Sequence, residues 1–164
     1  MGYGAIVTAN TASRRGADRS AAGIAAGIKG LQDFAESSQG VPAMAVTVTE
    51  LRYLSAEKTL DVAFDDGSRF ALPAEYLRVE SPSAEVQGHG PGQKVIVAGR
   101  RHVGIMRIEP VGHYAVRLAF DDLHDSGIYS WEVLHRLGRE QANLWAEYEQ
   151  ALALKGLSRD PPRR

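Results

Sequence analysis

The sequence predicts an α+β fold: a small antiparallel β-sheet domain with short helices and a C-terminal amphipathic helix. Three observations carry this. From residue 43 onward apolar and polar residues alternate in short runs, the period of half-buried strands. Glycine, proline and aspartate punctuate those runs where turns are needed. The last apolar pattern changes to helical spacing at Leu144, Tyr148 and Leu152, with Trp145 beside it.

Residues 1–42 precede this pattern and are rich in Ala, Gly, Ser and Arg. Ile24, Ile28 and Leu31 fall at helical spacing, but Gly23, Gly27 and Gly30 each cost a helix about 1 kcal/mol relative to Ala. An acid-poor, Arg- and Ser-rich start is also the composition of an organellar transit peptide. We read residues 1–42 as a disordered extension without chemistry of its own.

The strands follow. Val46 and Val48 alternate with Thr47 and Thr49, and Leu60, Val62 and Phe64 repeat the pattern. Asp65-Asp66-Gly67-Ser68 then supplies a turn before Arg69–Leu72, a hairpin signal. Pro73–Arg78 reads as one helical turn, opened by a proline whose missing N–H costs little there. Ser81–Gln93 holds three glycines and two prolines, a poor helix and a poor strand. Val95–Val97, His102–Ile108 and Tyr114–Phe120 are the next strands, with a turn at Val111-Gly112-His113. Ser130 is a good N-cap for a short helix, Trp131–Leu137, closed by Gly138. A second helix carries Leu144–Leu152 and ends by Gly156 and Pro161-Pro162. The expected organisation is an extension (1–42), a folded domain (43–138), and a C-terminal helix and tail (139–164), with five or six strands.

Composition narrows the function. The chain has 164 residues, is 44% hydrophobic and 24% charged, and carries a net charge of −1. That balance suits a soluble domain and gives no sign of a nucleic-acid partner. The absence of cysteine excludes disulfides, thiolate metal ligands and cysteine nucleophiles. It also suits a reducing, cytoplasmic setting. No apolar run approaches the ~20 residues of a transmembrane helix, so no membrane partner is expected.

Two polar segments, Ser81–Gln93 and Phe120–Trp131, read as counterparts. With Glu85 and His113 they bring His89, His124, Asp121, Asp122 and Asp125, imidazole and carboxylate donors that can hold Fe(II), Zn(II) or Mn(II) if they converge. Otherwise the aspartates are solvated turn formers and the histidines hydrogen-bond the loops together. Gly88, Gly90 and Gly92 could admit an anion to the backbone, with Arg100, Arg101 and Arg107 to assist. However, Lys94 is followed by neither Ser nor Thr and GxGxxG is absent, so no phosphate-binding fingerprint is present. Ser126 and Ser130 flank His124 and Asp125, but close neighbours along a strand point apart and make a poor triad. Tyr129 and Trp131 read as core anchors. No catalytic constellation emerges, and no enzyme activity is expected.

Phe64–Gly67, Pro73–Arg78, Ser81–Glu85, Gly88–Gly90, Ile108–Gly112, Tyr114–Val116 and His124–Trp131 form a set of separate motifs. Through them residues 46–138 resemble the gamma-butyrobetaine hydroxylase-like N-terminal domain, a domain of unknown function. Leu144-Trp145 followed by Tyr148 is similar to the tail of short bacterial stand-alone members.

The resemblance implies an accessory role. In the carnitine-pathway dioxygenases a similar domain precedes the catalytic jelly roll and binds structural zinc through three cysteines and a histidine. The matching positions here are Ser81, Ser83, Val86 and His124. Serine is a poor zinc ligand and valine is none, so that site is not expected intact. None of the five histidines begins the His-x-Asp/Glu pair of an iron dioxygenase centre, so hydroxylase activity is not carried over. A similar domain is also fused to Mrp-type iron–sulfur carrier ATPases, which implies cluster delivery or client docking. The leading expectation is a non-catalytic adaptor that binds a protein partner through Ser81, Ser83, Glu85, Gly88, His89, Gly90, Tyr129 and Trp131. No cofactor is expected. The second reading is an iron or zinc module built on His124 and His89.

Overall fold

Among the described residues, seven strands and three helices follow in the order β1 (Ile6–Thr8), β2 (Val48–Leu54), β3 (Thr59–Phe64), β4 (Arg69–Pro73), α1 (Ala74–Val79), α2 (Ala84–Gln87), β5 (Ile105–Val111), β6 (Ala115–Phe120), β7 (Gly127–Ser130) and α3 (Trp131–Leu154). The computed structural model describes residues 6–8, 45–90 and 92–162. All of these except Ala45 belong to one unit. The strands form two antiparallel sheets, β1-β2-β3-β4 and β5-β6-β7. The α+β class is as the sequence predicts.

The first sheet is a meander. Leu60 faces Tyr53 on β2 and Leu72 on β4, and Val62 faces Leu51 and Phe70. Along β3 every second residue is buried, as period-2 patterning requires. The hairpin turns at Gly67, with φ at +85°, where a side chain would be strained. In the second sheet Leu118 faces Ile108 and Gly127, and Val116 faces Pro110 and Tyr129. Both sheets, α1 and α3 feed one core, in which Leu60, Val62, Leu72, Leu77, Leu118, Leu134 and Leu137 are wholly buried. Each such side chain contributes about 1.5–3 kcal/mol of burial.

Four details depart from the sequence reading. Helix α3 is continuous from Trp131 to Leu154 rather than two helices parted at Gly138. Its N-cap is Ser130, whose hydroxyl accepts from Val133 N–H at 3.2 Å. Gly138 is there for packing: a Cβ at that position would lie 2.3 Å from the Phe70 ring. Close approach of β4, not termination, explains the glycine. Second, Gly127–Ser130 is a strand, although its flanking aspartates read as loop.

Third, Val95–Val97 is not a strand; Val95 N–H and Val97 C=O bond instead to Val86 O and the Tyr148 hydroxyl. Fourth, Ser81–Gln93 contains the short helix α2. The extension assigned to residues 1–42 lies outside the described residues except at Ile6–Thr8, which pair with Glu50–Arg52.

Candidate functional site

The two polar segments meet around one buried imidazole. Ser81 leaves α1 through Glu80, and His124 sits at the β6–β7 turn, where Phe120 N–H donates to His124 O at 2.8 Å. Ser81 Oγ lies 2.9 Å from His124 Nε2, Ser83 Oγ lies 3.5 Å from the same atom, and the two hydroxyls are 3.2 Å apart. On the other side of the ring, Nδ1 lies 3.1 Å from Glu85 Oε2. A carboxylate accepts only, so the network assigns the proton to Nδ1 and leaves Nε2 to accept from Ser81. Burial, and then the charge of Arg78, hold His124 below the ordinary imidazole range, with Glu85 opposing them. The ring is therefore neutral at pH 7.

A charged layer backs this cluster. Asp122 Oδ2 accepts from Arg78 Nε at 2.8 Å and lies 2.6 Å from Arg100 Nε, while Oδ1 accepts from His124 N–H at 3.2 Å. Burial raises the Asp122 carboxyl, but Arg78, the His124 amide and Arg100 together hold it below the usual carboxylate range. Tyr129 closes the floor, its hydroxyl donating to Leu77 O; burial pushes its phenol far up. Gly127 is required here, since a Cβ would come within 2.7 Å of Ser81 Oγ.

Ser81, His124 and Glu85 stand in the line of a serine–histidine–acid relay. Local sequence does not reveal this line, because Ser81 is 43 residues from His124 while Ser126 and Ser130 are its near neighbours. No substrate reaches this serine, however. Ser81 is 0% exposed. Two surface concavities, of about 170 and 500 Å3, lie elsewhere, against α3 and against β5, and neither reaches Ser81 or His124.

The expected metal ligands do not assemble. Among the described residues no three His, Asp or Glu side chains group as a metal would need. His89 is exposed, with its backbone N–H bonded to Gln93 Oε1; Asp121 accepts from Gly104 N–H; Asp125 is exposed; Asp122 serves two arginines. Only His124 points into the cluster. Of the positions at which the resemblance implies zinc ligands, Ser81, Ser83 and His124 come together, but they do not fit zinc. Neutral hydroxyls from Ser81 and Ser83 occupy Nε2, and Val86 offers no donor. The members of the expected interaction loop differ in exposure. Ser81, Ser83 and Tyr129 are buried because they hold His124 and the sheet together, and Trp131 is half-buried with its indole donating to His113 O. Glu85 and His89 are the exposed members, with Gly88 and Gly90 partly exposed between them.

What the loops do present is Leu123. This residue is 90% exposed and has φ at +70°, a left-handed conformation that leucine rarely adopts. Asp121 and Asp125 flank it.

The family model described as gamma-butyrobetaine hydroxylase-like, N-terminal matches residues 51–135. The chain belongs to this family. Two solution structures determined by NMR are 44% and 43% identical to it, covering 72% and 76% of this chain and 93% of each of theirs, with TM-scores of 0.63 and 0.65. A crystal structure of a protein with unknown function of the DUF971 family, from Acidithiobacillus ferrooxidans, is 40% identical. It covers 56% of this chain and 92% of that one, with a TM-score of 0.48. No curated protein matches the chain. Among the described residues no helix is long and apolar enough to cross a membrane.

Proposed function

We propose that this domain is a non-catalytic adaptor that binds a protein partner at the β6–β7 turn. The observation that carries the reading is Leu123, held out at positive φ by a turn that His124 clamps from beneath. Such a conformation costs leucine about 1–2 kcal/mol, and strain of this kind persists where function uses it. The polar groups that catalysis or metal binding would use are engaged with one another below the surface. At the tip of the turn Leu123 faces outward between the exposed Asp121 and Asp125. The partner that fits is a protein with a small apolar pocket and a basic rim.

The likeness to a domain fused to Mrp-type carriers makes a purified iron–sulfur carrier ATPase the first partner to assay. Calorimetric titration with the full-length chain and with Leu123→Ser tests the reading. Saturable binding to the wild type, weakened at least about tenfold in Leu123→Ser, supports it. If photo-crosslinking from position 123 in cells yields no specific protein, or a partner binds Leu123→Ser equally well, the β6–β7 turn is not the interface.

A further inference from the structure

The C-terminal tail behaves like a bound peptide. It leaves α3 at Gly156, whose φ of +62° turns the chain. Leu157, Ser158, Asp160, Pro161 and Pro162 are all exposed. One side chain goes in. Arg159 forks onto Glu75, with Nε 2.9 Å from Oε1 and Nη2 2.7 Å from Oε2, and its guanidinium lies 4.7 Å from the centre of the Trp145 ring. Around this anchor two loop amides hold the tail backbone: Gly99 N–H donates to Ser158 O and Arg101 N–H to Arg159 O, both at 2.9 Å. Asp160 adds an ion pair to Arg101 at 3.1 Å.

A bidentate carboxylate, an aromatic face and a row of backbone donors together make an arginine receptor. Edge-on backbone pairing with one side chain in a socket is a recurring mode of peptide recognition. The Glu75 side chain is 7% exposed, and Arg159 is the one cation paired with it among the described residues. Withdrawal of the tail would leave that carboxylate and two N–H groups without partners, a costly state that a new guanidinium relieves. Little apolar surface holds the tail in place, so its opening is a local event.

We infer that Glu75, Trp145 and the Gly99–Arg101 loop form a docking site for an extended peptide carrying an arginine followed by an acidic residue. The chain's own Ser158–Asp160 occupies that site in cis. An incoming segment competes with a tether whose effective concentration is of millimolar order. This inference does not rest on the Leu123 reading, although the Gly99–Arg101 loop adjoins that turn through the Arg100–Asp122 ion pair at 2.6 Å.

The test uses the full chain with Arg159→Ala, which keeps the tail but removes its anchor. A synthetic peptide, Gly-Leu-Ser-Arg-Asp-Pro-Pro, is titrated while the Trp145 indole resonance is followed. The inference expects saturable binding that is about ten- to a hundredfold tighter than to the wild type, the tether no longer competing. It also expects that gain to vanish with Glu75→Gln or with lysine in the peptide. Equal binding to both proteins, no binding to either, or undiminished binding of the lysine peptide overturns it. Should Arg159→Ala not fold, amide exchange in the wild type decides. Gly99 and Arg101 must exchange through tail opening, faster than the amides of buried α3 residues; exchange only by global unfolding overturns the inference. Leu123→Ser leaves the peptide titration unchanged, so the two surfaces fail or stand separately.

Discussion

Ser81 Oγ and His124 Nε2 are 2.9 Å apart, and that hydrogen bond joins two loops 43 residues apart in the chain. The contact is made from a hydroxyl and a neutral imidazole, and it holds the β6–β7 turn against the segment that links α1 to α2.

Ser81→Ala removes the nearer partner of a buried imidazole nitrogen, and Ser83 at 3.5 Å is too distant to replace it. Leaving such an acceptor unsatisfied costs about 1–3 kcal/mol. Ser83→Ala removes the longer contact and is expected to cost less than 1 kcal/mol, near the low end of a net hydrogen bond. Urea unfolding of the two variants, with unchanged slopes, checks the order.

His124 gives stability a pH dependence. Its folded pKa lies below the unfolded value of 6.5, so the unfolded chain takes up the proton first. The stabilisation is complete above pH 6.5 and is lost as pH falls from there through the folded pKa. Melting temperature should decline over this window in the wild type, with a shallower decline in His124→Asn. Parallel curves would mean that His124 does not titrate differently on folding.

The positive φ of Leu123 makes a prediction about stability. Glycine there relieves about 1–2 kcal/mol of left-handed strain and returns about 0.5–1 kcal/mol as unfolded-state entropy. Leu123→Gly should therefore leave stability unchanged or raise it by up to about 1.5 kcal/mol while weakening partner binding. A destabilised Leu123→Gly variant would contradict the strain account.

Gly138→Ala sets two effects against each other. Helix propensity favours alanine by about 1 kcal/mol. The new Cβ, 2.3 Å from the Phe70 ring, forces β4 or α3 to shift, and overpacking costs about 1–3 kcal/mol. We expect net destabilisation, relieved when Phe70→Leu is added; thermal unfolding of the double variant checks the coupling.

Much of the fold was legible because patterning is local. The alternation in β3, the Asp-Gly hairpin, the Ser130 cap and the helical stripe of α3 each lie within a few residues. The misreadings share a cause in distant contacts. Gly138 looked like a helix stop because Phe70 is far away in sequence. Gly127–Ser130 looked like a loop because its partner β6 supplies the ladder. The site was half legible. His124 and the two segments stood out, but the Ser81–His124–Glu85 line needs the β6–β7 turn folded over α2. His89 and the aspartates, equally polar in sequence, are turned to solvent or to other partners. Arg159 gave no signal at all, since a lone tail arginine reads as solvated.

Elemental analysis of tag-free, folded protein tests the central claim most directly: that hydrogen bonds, not a metal, hold the His124 clamp. Zinc, iron and manganese should together come to less than about 0.1 ion per chain, because neither hydroxyls nor valine complete a binding set. About one ion per chain, lost in His124→Ala, would contradict the account.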